Sequence, residues 1–216
     1  MRCFVVGNGP SLTKTNLDLL VGQPSFACND IHLIYPYTTW RPTFYVRSER
    51  FAEGVKEDVW LPSVEETLKA GAECHLSGYY QNHVPKLKGV VTELKHCTHH
   101  TKNFDDIDCP TEWHLPWLCQ FGGSLIVAMQ IALLKGFTEI VLVGCDLNYR
   151  DGKPSHFDND YEHGMEQPAF YANKNNLWAH MCGINYHARR NLPYNVINAT
   201  VGGDLHLYPR KKLEDV

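Results

Sequence analysis

The 216-residue sequence lacks three features that would each indicate a particular class of protein. It has no excess of basic residues, because its formal net charge is −4, which argues against nucleic acid as the partner. Its 8 cysteines include no Cys-x-x-Cys pair, which favours free thiols in a reducing compartment over a disulfide framework. No apolar run is long enough to cross a membrane, so the sequence predicts a cytoplasmic protein without a transmembrane segment.

The glycine-rich segment GNGPSL, at Gly7–Leu12, also lacks two familiar nucleotide-binding motifs. No Gly-Lys-Ser/Thr follows at the spacing of a P-loop, and Leu12 stands where a dinucleotide fingerprint has its third glycine. What the segment does contain is a glycine turn after an apolar strand, followed by Pro10 and Ser11, which suit the first turn of a helix. This arrangement predicts a seat for a phosphate or nucleotide, with a tight turn that binds no ligand as the alternative.

Short apolar segments alternate with helical segments along much of the chain. Strands are predicted at Cys3–Val6, Ser25–Cys28, Pro42–Val46, Glu139–Gly144 and Tyr194–Ile197, with weaker ones at Ala72–Leu76 and Gly89–Leu94. Helices are predicted at Leu12–Val21, at Val64–Ala70, from about Gly123–Ser124 to Gly136, and at Ala169–Arg190. The pattern predicts an α/β fold: a Rossmann-like, mostly parallel sheet flanked by helices, in a single domain spanning 1–216 with a lid-like loop.

Residues that follow the predicted strands are candidate site residues, because ligands of parallel sheets bind beyond the carboxyl ends of the strands. Asn29 follows the second strand, and Asp146 follows the most apolar one, EIVLVG. The polar segment 145–168 predicts an active-site loop. Within it, His156 and His163 are candidate general bases, because histidine titrates near neutral pH.

Basic residues outside these loops carry weaker predictions. Arg41, Arg47 and Arg50 surround the end of the third predicted strand, where one of them could clamp a phosphate. Lys211 and Lys212, in the final stretch PRKKLEDV, are predicted only to solvate the terminus.

Several short stretches carry a resemblance to known families: GNGPSL after the first strand, Cys28-Asn29 after the second, TFYV in the third, a Gly-Gly-Ser helix start and GFTEIVLVGCDLNY. In these stretches the chain resembles the bacterial sialyltransferases of glycosyltransferase family 42, which transfer sialic acid from CMP-sialic acid. It also resembles the MptE-like family, which includes 6-hydroxymethylpterin diphosphokinases and flagellin-modifying, glycosyltransferase-like proteins. The likeness covers the first three predicted strands and Phe121–Asp158.

The resemblance implies roles for particular residues. Together with the strand-end argument, it assigns nucleotide binding to Gly7, Asn8, Gly9, Ser11, Asn29, Gly123, Ser124 and Asp146. Tyr149 matches a tyrosine with which the sialyltransferases hydrogen-bond the departing phosphate. By position, His163 matches the histidine base of that family, with His156 as the competitor.

The favoured hypothesis is a glycosyltransferase that moves a sugar from a nucleotide-activated donor, CMP-linked by resemblance, to a hydroxyl of a glycan or another acceptor. No cofactor or metal is required, because hydrogen bonds can neutralise the leaving phosphate. One alternative is a diphosphokinase in which Asp146 and Asp158 or Asp160 hold Mg²⁺ against ATP phosphates. Another is a nucleotide-binding module without turnover. Related sialyltransferases often form tetramers, so a homo-oligomer stays open.

Overall fold

A computed structural model describes residues 1–48, 57–77, 91–97, 117–119, 124–148, 155–161 and 194–216. Eight strands form one sheet: β1 at Arg2–Val6, β2 at Ser25–Cys28, β3 at Phe44–Arg47, β4 at Glu73–Ser77, β5 at Val91–Cys97, β6 at Trp117–Cys119, β7 at Glu139–Val143 and β8 at Asn195–Asn198. Their order is β6-β5-β4-β3-β2-β1-β7-β8, and all neighbouring pairs are parallel. The predicted α/β fold with a parallel sheet is confirmed.

The described helices cover the sheet. The α-helices are α1 at Glu57–Lys69 and α2 at Ser124–Leu134, and 3-10 helices lie at Pro10–Lys14, Leu17–Leu20, Ile31–Tyr37 and Leu213–Asp215. As predicted, α2 is a buried helix, and Gly136 takes a positive φ of 83° just after its end. No helix in the described ranges is both long and apolar enough to span a bilayer.

Alternate residues of the strands pack into two apolar cores, one on each face of the sheet. In β1, Cys3 and Val5 face the core that α2 covers, whereas Phe4 and Val6 face the core closed by α1 and the first two 3-10 helices. Burial on both faces explains why the strands are continuous apolar runs. The cysteines described as buried free thiols are Cys3, Cys28, Cys74 and Cys145.

The segment Leu12–Val21 differs from the single helix predicted there. It belongs to two 3-10 helices separated by Thr15 and Asn16, whose backbone is extended. Asn16 caps the second of these helices, and its side chain accepts a hydrogen bond from the Asp18 N–H at 3.2 Å. A polar cap therefore interrupts what resembled one helical pattern.

The predictions for the middle of the chain located real elements but misplaced their ends. The helix predicted at Val64–Ala70 is the second half of α1, and the strand predicted at Gly89–Leu94 is the first part of β5. β6 was not predicted, because three residues are too few to show a strand pattern. The helix predicted at Ala169–Arg190 lies outside the described residues.

Candidate functional site

The strand order changes direction at β1, and this change defines the candidate site. From β1 the chain adds β2 to β6 on one side of the sheet and then places β7 and β8 on the other side. In parallel sheets, such a switch opens a ligand-binding crevice at the carboxyl ends of the strands. The turns that border this crevice are Gly7–Gly9 after β1 and Gly144–Asp146 after β7.

These two turns contact each other closely through their backbones. The Gly7 N–H donates to the Val143 carbonyl at 2.8 Å, and the Gly9 N–H donates to the Gly144 carbonyl at 2.9 Å. A β-carbon on Gly9 would lie 1.9 Å from Asp146 Oδ2, far inside van der Waals contact. The close contact between the two turns is enough to explain why glycine stands at these positions. Their role in nucleotide binding therefore stays a prediction.

Asp146 joins the two turns through its side chain. Its carboxylate accepts hydrogen bonds from the Ser11 hydroxyl at 2.7 Å and from the Ser11 N–H at 3.2 Å. Only 6% of Asp146 is exposed, and this burial raises the pKa of its carboxyl group, while the bonds from Ser11 oppose the rise. The carboxylate thus occupies the N–H and the hydroxyl of Ser11, in the segment that was predicted to seat a phosphate or nucleotide.

The segment after β8 supports the turn after β7. The Cys145 N–H donates to Thr200 Oγ1 at 2.9 Å, and the Asp204 N–H donates to the Asp146 carbonyl at 2.7 Å. A β-carbon on Gly203 would lie 2.6 Å from that same carbonyl oxygen. Thr200 was not among the predicted site residues, although it follows β8 much as Asp146 follows β7, so the strand-end rule could have found it.

Cys145, beside Asp146, is not a nucleophile in this setting. Burial raises the pKa of its thiol to about 12, so the thiol remains protonated at neutral pH. Its sulfur lies 3.5 Å from the Val143 carbonyl, to which the thiol donates. The Cys145 thiol is therefore a neutral group beside the Asp146 carboxylate.

Asn8 links the turn after β1 to two neighbouring segments. Its side-chain Nδ2 donates to the Cys28 carbonyl at the end of β2 at 3.0 Å. Its backbone carbonyl accepts from the Phe157 N–H at 3.0 Å. Only 9% of Asn8 is exposed. Its Oδ1 is buried and accepts no hydrogen bond within the part of the chain that the structure describes. Buried polar atoms are normally paired, so this oxygen, which no described residue uses as an acceptor, is a candidate contact for a ligand beside the strand ends.

Asn29 follows β2 in the left-handed conformation, with a φ of 51°, and its carbonyl accepts from a tyrosine hydroxyl of β3 at 2.8 Å. Beside it, Asp30 and Arg47 form a buried ion pair with an N–O distance of 2.8 Å. Arg47 is therefore engaged within the protein. Arg41 donates to the backbone carbonyls of Tyr35, Thr38 and Trp40. Arg50 lies outside the described residues.

Ser124 connects the start of α2 to the end of β3. Its hydroxyl accepts a hydrogen bond from the Ser48 N–H at 2.9 Å and lies 3.1 Å from Ser48 Oγ. This contact brings the start of the helix to the carboxyl edge of the sheet, where the crevice also lies. Ser48 was not predicted, and Gly123 lies outside the described residues.

His156 belongs to a short described part of the predicted active-site loop. Its ring stacks on Tyr161, with centroids 3.8 Å apart and an interplanar angle of 10°. The loop reaches the crevice, because the Phe157 N–H is the group that bonds the Asn8 carbonyl. His156, one of the two candidate histidines, therefore lies in the segment that contacts the glycine turn.

The remaining predicted chemical groups are only partly described. Asp158 accepts a hydrogen bond from the Asp160 N–H at 2.8 Å, so it caps a turn of its own loop. In the described ranges, no three or more His, Cys, Asp or Glu side chains are grouped to hold a metal ion. Tyr149 and His163 lie outside the described residues.

No family model and no curated protein sequence matches the chain. Among solved structures, the MAf glycosyltransferase from Magnetospirillum magneticum AMB-1 has a similar fold, with a TM-score of 0.59 and 14% sequence identity. The match covers 100% of this chain and 34% of that chain, so this chain spans about a third of its length. The fold is therefore a Rossmann-like α/β fold that is also found in a glycosyltransferase.

Proposed function

We propose that this protein is a glycosyltransferase that takes a sugar from a nucleotide-activated, CMP-linked donor and transfers it to a hydroxyl of a glycan or another acceptor. The fold it shares with the MAf glycosyltransferase supports this proposal. The observation that carries it is Asn8, whose buried Oδ1 has no hydrogen bond within the described residues at the switch point of the sheet. An unpaired buried acceptor costs stability, which a ligand donor would restore.

The crevice beside Asn8 suits the nucleoside of the donor better than its phosphate. An amide oxygen accepts hydrogen bonds from the amine of cytosine or from a ribose hydroxyl, but it has nothing to donate to a phosphate. The Asp146 carboxylate, held by Ser11, adds a negative charge that disfavours phosphate at that turn.

We assign the phosphate to the start of α2, near Ser124. The first turn of α2 has no acidic residue, and a helix N-terminus favours an anion through its free N–H groups and its dipole. In this arrangement Asn29, at the end of β2, faces the base or ribose. The donor would thus extend from β1 and β2 towards α2.

In the transfer step, the oxygen of the acceptor hydroxyl bonds to the anomeric carbon of the sugar as the bond to the donor phosphate oxygen breaks. The acceptor proton passes to a general base, His163 or His156, and Tyr149 donates a hydrogen bond to the departing phosphate. The bond between Phe157 and Asn8 supports a role for this loop.

A thermal-shift panel of CMP, CDP, UDP, GDP and ATP, each with and without Mg²⁺, tests the proposed donor class. We expect CMP to raise the melting temperature without Mg²⁺, because a ligand that binds only the folded state stabilises it. A shift from ATP that requires Mg²⁺ would instead support the diphosphokinase alternative. No shift with any nucleotide at millimolar concentration would contradict the proposal.

Replacing Asn8 tests the residue that carries the proposal. We expect Asn8→Ala to weaken CMP binding at least tenfold by calorimetry, since one lost hydrogen bond of about 1.4 kcal/mol is a factor of ten. The lost bond to Cys28 would also lower stability by about 1 kcal/mol, measured separately by urea unfolding. The matched control is Asn195→Ala, at an exposed position where β8 begins. Equal CMP affinity in both variants would refute the assignment.

A further inference from the structure

A second concave surface lies beside the crevice, between the first 3-10 helix and the last residues of the described chain. It encloses about 490 Å³ and is lined by Lys14, Thr15, Asn16, Ala199, Thr200, Val201, Gly202, Arg210, Lys211, Lys212, Leu213 and Glu214. We call it the basic groove. Its volume lies within the range of small-molecule sites.

The charge of the basic groove contrasts with that of the whole chain. Four basic side chains and one acidic side chain line the groove, whereas the chain carries a net charge of −4. Lys14, Lys211 and Lys212 are exposed, and their ammonium groups make no hydrogen bond or ion pair to any described residue. Three lysines that line one groove favour an anion as its ligand.

The lysines beyond β8 stand on a backbone that is held in place. The Asn198 N–H donates to the Pro209 carbonyl at 2.8 Å, and the Lys211 N–H donates to the Asn198 carbonyl at 3.1 Å. The Arg210 guanidinium donates to carbonyls of the loop after β8, including that of Thr200 at 2.6 Å. The tail lysines, predicted only to solvate the terminus, are therefore exposed on an ordered wall that also faces Lys14.

The basic groove and the crevice share a wall. Thr200 lines the groove and accepts the hydrogen bond from Cys145, the residue before Asp146. The segment with Lys14 also begins at the glycine turn, where Ser11 bonds the Asp146 carboxylate. A ligand in the groove would therefore lie next to a nucleotide in the crevice.

We propose that the basic groove binds the carboxylate or phosphate group of a saccharide, which is the acceptor under the proposed function. The lysine ammonium groups supply the charge, and the exposed amide of Asn16 supplies a hydrogen-bond partner for a neighbouring sugar hydroxyl. The Thr15 hydroxyl, which donates to the Ser11 carbonyl, can accept a further bond. The identity of this ligand as an acceptor rests on the proposed function, whereas its binding through the lysines does not.

The test compares glucose 6-phosphate with glucose as probes, using protein-observed NMR titration. We expect wild-type protein to bind glucose 6-phosphate and not glucose, with an affinity that falls as salt rises from about 0.05 M to about 0.5 M. The variant Lys14→Gln, Lys211→Gln, Lys212→Gln should bind at least tenfold more weakly. The control Lys69→Gln, whose lysine is exposed and pairs with Glu66 on α1, should bind as wild type does.

Three outcomes would overturn the proposal. The first is that the triple variant binds glucose 6-phosphate as tightly as wild type does. The second is that wild-type protein binds a hexaglutamate peptide in place of the sugar phosphate. The third is that the triple variant loses affinity for CMP as well as for glucose 6-phosphate. The last would mean that the groove holds the donor phosphate. If no nucleotide binds wild-type protein while glucose 6-phosphate still binds through the lysines, the proposed function fails and the saccharide site stands.

Discussion

The crevice and the basic groove share a wall but differ in whether their charged side chains are buried or exposed. In the crevice, charged groups are buried and bonded within the protein, as Asp146 is to Ser11 and Asp30 is to Arg47. In the groove, the lysines are exposed and their ammonium groups bond no described residue. In the crevice, Asn8 Oδ1 is a neutral acceptor that bonds no described residue, whereas the described wall of the groove offers positive charge.

This difference indicates two kinds of recognition at one edge of the sheet. A buried neutral acceptor selects a ligand by the position of its donor groups and is little affected by salt. Exposed ammonium groups select by charge and are screened by salt. This contrast is the basis for proposing a nucleoside as the ligand of the crevice and an anionic saccharide as the ligand of the groove.

Among the variants that test this comparison, Gly9→Ala should lower the stability most, because the crevice depends on contact between its two turns. The added β-carbon would meet Asp146 Oδ2 at 1.9 Å and the Gly144 carbonyl oxygen at 2.7 Å. We expect a loss of about 3 kcal/mol in unfolding free energy, measured by urea denaturation.

The control for that variant is Gly22→Ala, where φ is 76° but no atom would lie within 4 Å of the new β-carbon. Only backbone strain of about 1–2 kcal/mol applies there. A larger loss at Gly22 than at Gly9 would contradict the account of the close turn contact.

An intermediate effect is expected from Asp146→Asn, which removes the negative charge of the crevice. A neutral amide oxygen accepts the bonds from Ser11 more weakly than a carboxylate does, so we expect a loss of about 1–3 kcal/mol in unfolding free energy at pH 7. The measurement is urea unfolding of both proteins from pH 4 to pH 8.

The pH dependence of this effect has a definite sign. Burial raises the pKa of Asp146 in the folded protein above its unfolded value of about 3.8, so the folded state binds the proton more tightly. The stability of the wild-type protein therefore falls as pH rises from the unfolded pKa through the folded pKa. The stability of Asp146→Asn does not change for this reason, because asparagine does not titrate. The difference between the two proteins should shrink as pH rises through that window. A constant difference would contradict the burial of the carboxyl group.

The smallest effect is expected from Thr200→Val, which acts on the shared wall. Valine keeps the shape of the side chain but leaves the Cys145 N–H without its acceptor, at a cost of about 1 kcal/mol in unfolding free energy. Because Thr200 also lines the groove, the affinities for CMP and for glucose 6-phosphate should fall together.

Thr13→Val is the control, because the Thr13 hydroxyl makes an exposed local bond to the Pro10 carbonyl. A loss of only one of the two affinities in Thr200→Val would show that the wall is not shared.

Much of the fold follows from local sequence patterns, and the exceptions have physical causes. The strand predicted at Ser25–Cys28 is β2, because a run buried on both faces is continuously apolar. The helix predicted at Leu12–Val21 was wrong because Asn16 caps a new 3-10 helix within it. A local pattern does not reveal which of two helical geometries a polar cap will favour.

The candidate site was predictable only as far as the strand-end rule reaches. The rule selected Asp146 and the family resemblance selected Asn8, but neither reveals that the Asp146 carboxylate bonds Ser11. That bond depends on β1 and β7 being neighbours. For the same reason, the approach of Lys14 to the tail lysines has no signature in the sequence, since parallel strand pairing brings opposite ends of the chain together.

The proposed function requires Asn8 Oδ1 to accept a hydrogen bond from the nucleoside at the switch point of the sheet. A crystal structure of the protein with CMP would show whether this bond forms. We expect a donor atom of the cytosine or ribose within about 3.2 Å of Asn8 Oδ1. CMP bound in the basic groove, or anywhere that leaves Asn8 Oδ1 without a ligand contact, would contradict it.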